Sequence, residues 1–195
     1  LKAFDALVKE GKVRYIGTSN DSAYGLTKAN EISKYKGYTR FESIQNNFSL
    51  LNPRFHDELA NVCRLENISL LPYSPMAGGV LSGKYCGGFY PEGSRFATYL
   101  KESNKRVQAM AHRFVNERTL EATKKYLELA KEYEVSPVTL AISYSKHFDF
   151  VASTIVGARK IEQLDDSLKA FDFKISNELL KKIEIIQKDI LYPMG

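Results

Sequence analysis

The sequence predicts an α/β fold built on a parallel sheet, and three observations carry that expectation. Short apolar runs recur at 13–17, 41–45, 68–71 and 151–156. Segments with apolar residues at helical spacing separate them. Each run gives way to amide, hydroxyl, aromatic or basic residues, the types that line a site beyond the carboxyl ends of parallel strands.

The elements follow in order. Leu1, Phe4, Leu7 and Val8 recur at helical spacing, and Gly11 is placed like a C-cap, so the chain opens inside a helix. That opening, without a methionine, leads us to expect further sequence upstream. Val13-Arg14-Tyr15-Ile16-Gly17 reads as a buried strand ending at Thr18-Ser19-Asn20, and a helix over 22–35 turns Leu26, Ala29 and Ile32 inward. Phe41 to Gln45 is a second strand. Asn52-Pro53 then opens a helix with Asn52 as N-cap and Pro53 in its first turn. Ile68 to Leu71 is a third strand that stops at Pro72, and the glycine-rich polar stretch 76–106 reads as a long loop. Helices over 117–134 and 137–147 follow, the second capped by Ser136. Val151 to Val156 is a fourth strand. Ile161, Leu164, Leu168 and Phe171 then mark one helical face, and Leu179, Leu180, Ile183, Ile186 and Ile190 another.

Strands this short, separated by helices, argue for βαβ units. Four such units fit either an open doubly wound sheet or half of a (β/α)8 barrel.

Composition narrows the function classes. The chain has 195 residues, 44% hydrophobic and 26% charged, which excludes wholesale disorder and gives enough chain for one domain with a core. No apolar run is long enough to span a bilayer, so no membrane insertion is expected. Two cysteines, Cys63 and Cys86, suit a reducing compartment, and a cytoplasmic location is the expectation. The net charge of +5 tilts the surface toward anionic ligands, but the lysines and tyrosines form no nucleic-acid signature. Cys63, Cys86, His56, His112 and His147 lack metal-ligand spacing.

The strand ends carry the chemistry. Ser19, Asn20, Gln45 and Asn46 offer groups that hydrogen-bond a carboxamide or a ribose, and Tyr73, followed by Ser74, offers a flat face for stacking. Gly157 allows close backbone approach, and Arg159 and Lys160 precede the helix carrying Gln163, a seat suited to phosphate. The stretch Gly78 to Lys84 fits G-x-x-x-x-G-K, but Tyr85 stands where a magnesium-binding Ser or Thr belongs, so it is a near miss to a P-loop. No G-x-G-x-x-G follows a strand and no G-x-S-x-G elbow occurs.

Four stretches resemble the aldo-keto reductase family. Gly11-Lys12-Val13-Arg14-Tyr15-Ile16-Gly17-Thr18-Ser19-Asn20 is similar to its fifth-strand region, and Gln45-Asn46-Asn47-Phe48-Ser49-Leu50-Leu51-Asn52 to its sixth. The run from Pro72-Tyr73-Ser74-Pro75-Met76-Ala77-Gly78-Gly79 to Gly83-Lys84-Tyr85 looks like the seventh strand and its loop, and Val156-Gly157-Ala158-Arg159-Lys160 to Gln163-Leu164 like the eighth. The resemblance covers the chain to about Ile190 and is greatest for the branch holding potassium-channel beta subunits and bacterial general-stress reductases.

The resemblance implies a (β/α)8 TIM barrel, of which residues 1–195 are the last four βα units plus a C-terminal helix, with the N-terminal half absent. It implies NADP as cofactor, with NADPH reducing a small-molecule carbonyl. Carried over by position, Ser19, Asn20 and Gln45 hold the nicotinamide carboxamide and Tyr73 stacks on the ring. Ser74, Pro75, Met76, Ala77 and Gly78 line the pyrophosphate, with Lys84 and Arg95 supplying charge. Gly157, Arg159, Gln163, Asp166 and Ser167 surround the adenosine and its 2′-phosphate. Met76 replaces a usual leucine, Asp166 and Ser167 stand where the family more often has Glu and Asn, and Gly93 where channel subunits have tyrosine. The family's Asp-Tyr-Lys-His tetrad belongs to the first four strands, upstream of Leu1, so no catalytic residue is expected in this chain and the chain alone is expected to be inactive. The alternative is a noncatalytic NADP-binding or interaction module. Half a barrel leaves two open sheet edges, and pairing with the missing half or self-association is expected.

Overall fold

The computed structural model describes residues 1–194. Helix α1 (Lys2–Lys9) leads to strand β1 (Ile16–Ser19), helix α2 (Ala23–Lys36) and strand β2 (Phe41–Asn47). Helix α3 (Leu59–Glu66) and strand β3 (Ser69–Tyr73) follow, then α4 (Arg95–Lys101), α5 (Lys105–Phe114), α6 (Glu117–Glu132), α7 (Pro137–Lys146), α8 (Glu162–Lys169) and α9 (Asn177–Asp189). The strands form one sheet in the order β1-β2-β3, with both pairings parallel. Ser19 pairs with Gln45, and Asn47 with Tyr73, so the polar ends of the strands lie side by side.

The helices start where side chains can absorb unpaired N–H groups. Ser22, Ser94, Asn104, Asn116, Ser136 and Ser176 each accept a backbone N–H of the helix that follows. Asn116 and Thr119 complete a reciprocal capping box on α6.

Several expectations are corrected. The fourth strand does not form as a strand. Residues 150–155 run beside β3 and share a parallel bridge at Val151 with Leu70, but the ladder stops there. Leu70 donates to the Phe150 carbonyl at 2.8 Å and accepts from Ala152 at 3.0 Å, and Ile155 donates to the Pro72 carbonyl at 2.8 Å. Pro72 has no N–H to return, which interrupts the ladder at its next rung. The α/β class and the parallel sheet stand, with three strands where four were expected. The helix expected from Pro53 is a short 3-10 turn, Arg54–His56, and α3 starts later, at Leu59. The long loop over 76–106 contains a 3-10 segment (Ala77–Ser82), α4 and the start of α5. Glu10 caps α1 in place of Gly11, which follows it with φ +71°. Ile32 lies among the exposed apolar residues while Leu26 is buried.

The core draws buried residues from all three strands and from α2, α3, α6, α7 and α9. Phe48, fully buried, is its aromatic hub. Its ring meets Tyr144 at 5.5 Å, Phe148 at 5.6 Å, Phe55 at 6.1 Å and Phe150 at 5.9 Å. Arg64 on α3 holds Asp149 through two hydrogen bonds of 2.8 and 2.7 Å, anchoring the start of the 150–155 segment. At the chain's end Met194 is buried, and Arg113 and Arg118 donate to the Met194 and Leu191 carbonyls.

Other apolar side chains stay open to solvent. Ile161, Leu168 and Phe171 are 76%, 67% and 82% exposed, and Ile155, Val156 and Leu164 add to the same apolar stretch of chain. Tyr15, beside β1, is 76% exposed. The chain exposes 11638 Å² in all. That is about 2,300 Å² more than the roughly 9,300 Å² of a compact monomer of this mass.

His56 packs edge-on against Phe148, with centroids 4.5 Å apart. Burial first, then the Arg64 charge, holds its pKa below the ordinary 6.5, against the opposing pull of Asp57, Glu184 and Asp149. The unfolded chain therefore takes up the proton first as pH falls. Stability is full above about pH 6.5 and declines as pH drops through that value toward the lower folded pKa. The depressed carboxylates Asp5, Asp149 and Asp166 act in a separate window, below their ordinary 3.8. Urea midpoints are expected to be flat from pH 8 to 7 and to fall from pH 6.5 to 5, with His56→Phe flattening the fall. An unchanged slope in the variant contradicts this assignment.

Candidate functional site

The carboxyl ends of the three strands form a continuous polar network. β1 delivers Ser19, whose hydroxyl donates to the Gln45 carbonyl at 3.0 Å. Asn20 follows in the left-handed region, with φ +53°. Its N–H donates to the Gln45 carbonyl at 3.0 Å and to Asn46 Oδ1 at 2.7 Å. Its side chain donates from Nδ2 to Ser19 Oγ at 2.9 Å and accepts from the Tyr73 hydroxyl at 2.7 Å. Ser19, Asn20, Gln45 and Tyr73 are thus brought together from all three strands. Gln45 enters through its carbonyl, and the residue is exposed.

Beyond β3 the backbone turns sharply. Ser74 and Ala77 have φ of +55° and +48°, and Gly78 and Gly79 have φ of +66° and +95°. Ala77 donates to the Ser74 carbonyl at 2.8 Å and Gly79 to the Met76 carbonyl at 2.9 Å, closing the turn over Pro75. A Cβ on Gly78 would stand 2.5 Å from Phe96 Cζ, and one on Gly79 would stand 2.7 Å from Lys84 Nζ. The left-handed backbone favours glycine at both positions, and at Gly78 the close Phe96 ring leaves no room for a side chain, whereas the flexible Lys84 tip beside Gly79 could move aside. The Lys84 ammonium is held over this turn, and Arg95, exposed, opens α4 beside Phe96. The segment is a 3-10 turn and not a strand running into an α-helix, so the near match to a P-loop does not extend to its geometry.

The 157–167 region is arranged differently. A Cβ on Gly157 would meet nothing within 4 Å, so the backbone there is open to an approaching group. Arg159 Nη1 donates to the Gly93 carbonyl at 2.6 Å, tying this loop to the one that follows β3. Gln163 Oε1 accepts the N–H groups of Arg159 and Lys160 at 2.9 and 3.3 Å, so the start of α8 is capped from within. Ser167 donates to the Gln163 carbonyl at 3.0 Å. The Asp166 carboxylate accepts from Ser136 at 2.8 Å and pairs with Lys169 at 3.2 Å, and the Ser136 bond leads the effects that lower its pKa. Asp166 and Ser167 are bound within the α7–α8 region and do not join the Ser19–Tyr73 network.

Asn46 was noted in the sequence as a polar strand-end residue and Gly93 as a departure from the family pattern, but the bonds they make, to the Asn20 N–H and from Arg159, were not expected. Asn46 stood next to Gln45 as one more polar residue at a strand end. Its adjacency to a residue expected to bind ligand was the available signal. Nothing local marks the Gly93 carbonyl. Among the described residues no group of three His, Cys, Asp or Glu is placed to hold a metal ion, and no helix is long and apolar enough to cross a membrane.

Comparison with known proteins adds a family match and three relatives. A model of the Aldo/keto reductase family matches residues 1–188. The chain is 32% identical to protein Tas of Escherichia coli (strain K12), over 99% of this chain and 54% of that protein. It is 30% identical to a Schizosaccharomyces pombe protein named for a voltage-gated potassium channel subunit beta, over 95% of this chain and 54% of that protein. It is 27% identical to the norsolorinic acid reductase stcV of Emericella nidulans, over 100% of this chain and 46% of that protein. The chain spans about half the length of the curated relatives it matches.

Proposed function

Because the chain belongs to the aldo/keto reductase family, we propose that it supplies the cofactor-binding part of an NADPH-dependent reductase of aldehydes and ketones. The observation that carries this reading is the Ser19–Asn20–Gln45–Tyr73 network at one end of the parallel sheet, flanked by the cations Lys84 and Arg159 on the loops that follow. The donor set fits the cofactor. Side-chain amides and a hydroxyl suit a carboxamide, the Tyr73 ring suits a flat heterocycle, and the glycine turn at 78–79 exposes backbone beside a lysine.

In this reading Asn20, Ser19 and Gln45 orient the nicotinamide amide, and Tyr73 backs the ring. The Ser74–Gly78 turn receives the pyrophosphate, with Lys84 and Arg95 neutralising its charge. Gly157 and Arg159 meet the 2′-phosphate end, and Gln163 keeps their loop in place. Asp166 serves that end by holding α8 against α7, and Ser167 bonds back within α8 to the Gln163 carbonyl. Bound NADPH supplies the hydride that a carbonyl carbon accepts. The proton donor comes from outside this chain, from the first half of the family barrel, and the reaction takes place in the cytoplasm.

The same reading accounts for the open surface. The exposed apolar face of α8, the uncovered side of β1 and about 2,300 Å² of excess surface together exceed what one partner contributes to a standard interface, about 800 Å². We assign this face to the preceding half of a (β/α)8 barrel, because relatives twice as long share this half. A noncatalytic nucleotide-binding or interaction module is the second reading, favoured by the same apolar face.

The test is NADPH consumption with an aromatic aldehyde such as 4-nitrobenzaldehyde. The 195-residue chain is expected to quench or shift NADPH fluorescence without oxidising it. Turnover above background would overturn the division of labour proposed here.

A further inference from the structure

We propose that Asn46 is a positioning residue that sets Asn20 for its ligand, an assignment that rests on the cofactor reading above. Among the described residues, Asn20 is the strand-end residue held by hydrogen bonds from all three strands. The Asn46 carboxamide takes its N–H at 2.7 Å, shorter than the 3.0 Å bond to the Gln45 carbonyl that shares the same hydrogen. This acceptor fixes the left-handed backbone at φ +53°, an arrangement that asparagine tolerates better than most residues.

The orientation of the Asn20 amide then follows from hydrogen counting. Ser19 has one hydroxyl hydrogen, and it is given to the Gln45 carbonyl. Ser19 Oγ can therefore only accept from Asn20, so Nδ2 faces Ser19 and Oδ1 faces the Tyr73 hydroxyl. One N–H and one lone pair of the Asn20 amide remain, a donor and an acceptor on one planar group, and a primary carboxamide offers the complementary pair. Asn46 touches no ligand in this arrangement. It acts through the backbone it holds, and without it Asn20 is free to leave the conformation that presents this pair.

The experiment has two readouts on the whole chain, the hydrogen exchange of the Asn20 amide without ligand and the dissociation constant for NADPH. Asn46→Ala is expected to speed Asn20 exchange by about 2- to 10-fold, the equivalent of one hydrogen bond, and to weaken NADPH by a similar factor. Asn46→Asp keeps the acceptor and is expected to restore both. Tyr73→Phe, which keeps the ring, is expected to weaken NADPH while leaving Asn20 exchange slow. Unchanged exchange in Asn46→Ala overturns the clasp itself. Faster exchange with unchanged NADPH affinity overturns its role in positioning. A slowly exchanging Asn20 in an unaltered chain that binds no NADPH refutes the cofactor reading and leaves the backbone clasp standing.

Discussion

Phe48→Ala is expected to destabilise the chain by about 3–5 kcal/mol, the cost of truncating a fully buried phenylalanine. Phe48 is 0% exposed. It sits just beyond β2, and its ring is in contact with the rings of Phe55, His56, Tyr144, Phe148 and Phe150. Those partners come from the 3-10 turn, from α7 and from the stretch leading into the 150–155 segment. The cavity cannot close by moving one neighbour, because Phe148 and Phe150 are themselves stacked at 5.4 Å and Phe55 and Phe150 at 5.5 Å. Since a whole domain is stable by only about 5–15 kcal/mol, much of the chain's margin is expected to go. Chemical denaturation measures the loss. Phe171→Ala, at a site 82% exposed, is the control and is expected to cost under about 0.5 kcal/mol. A loss below about 1 kcal/mol for Phe48→Ala contradicts its place as the hub of the core.

The second large effect concerns binding. Replacing Arg159 by Met is expected to weaken NADPH by about 10- to 150-fold, the range for losing charge-assisted hydrogen bonds worth about 1.5–3 kcal/mol. Arg159 spends one of its N–H groups on the Gly93 carbonyl, and a guanidinium has four more. Its loop is ordered by Gln163 at one end and by Gly93 across the gap, so the charge is held in place before a phosphate arrives. NADH lacks the 2′-phosphate and is expected to lose less than about threefold, since only the uniform attraction of one surface charge is removed. Equal losses for the two cofactors, measured by titration, remove Arg159 from the 2′-phosphate position.

The parallel sheet was legible because its signals are local. Ile16, Ile44 and Leu70 are buried in short apolar runs, and each run ends in residues whose amides and hydroxyls could not lie in a core. The same alternation exposed most of the site. Ser19, Asn20, Gln45 and Tyr73 could be placed at one end of the sheet once the strands were known to be parallel. The fourth strand misled because its own composition is strand-like, whereas the limit lies in its neighbour. Pro72 cannot donate on the side that faces 150–155, and a run read by itself does not carry that information. α4 and α5 were hidden in a glycine-rich stretch, although Ser94 and Asn104 are ordinary N-caps. The periodicity of Ile161, Leu164, Leu168 and Phe171 was visible, but what covers that face was not, because a pattern states that a face is apolar without naming its partner. Asn46 was legible as a polar strand-end residue, but its bond to Asn20 was out of reach for a related reason. Its role depends on where the Asn20 N–H points, which is fixed only after β1 and β2 are paired.

The central claim is that the carboxyl ends of β1, β2 and β3 and the 157–163 loop form one NADPH site. Titrating the unaltered chain with NADPH and following each backbone amide by NMR tests it most directly. The account predicts saturable shifts concentrated at Ser19, Asn20, Gln45, Tyr73, Gly78, Gly79 and Gly157 to Gln163, with the opposite end of the sheet, around Asn30, Tyr38 and Asn67, unmoved. Shifts centred on that opposite end, or a folded chain whose amides do not respond to NADPH, would contradict it.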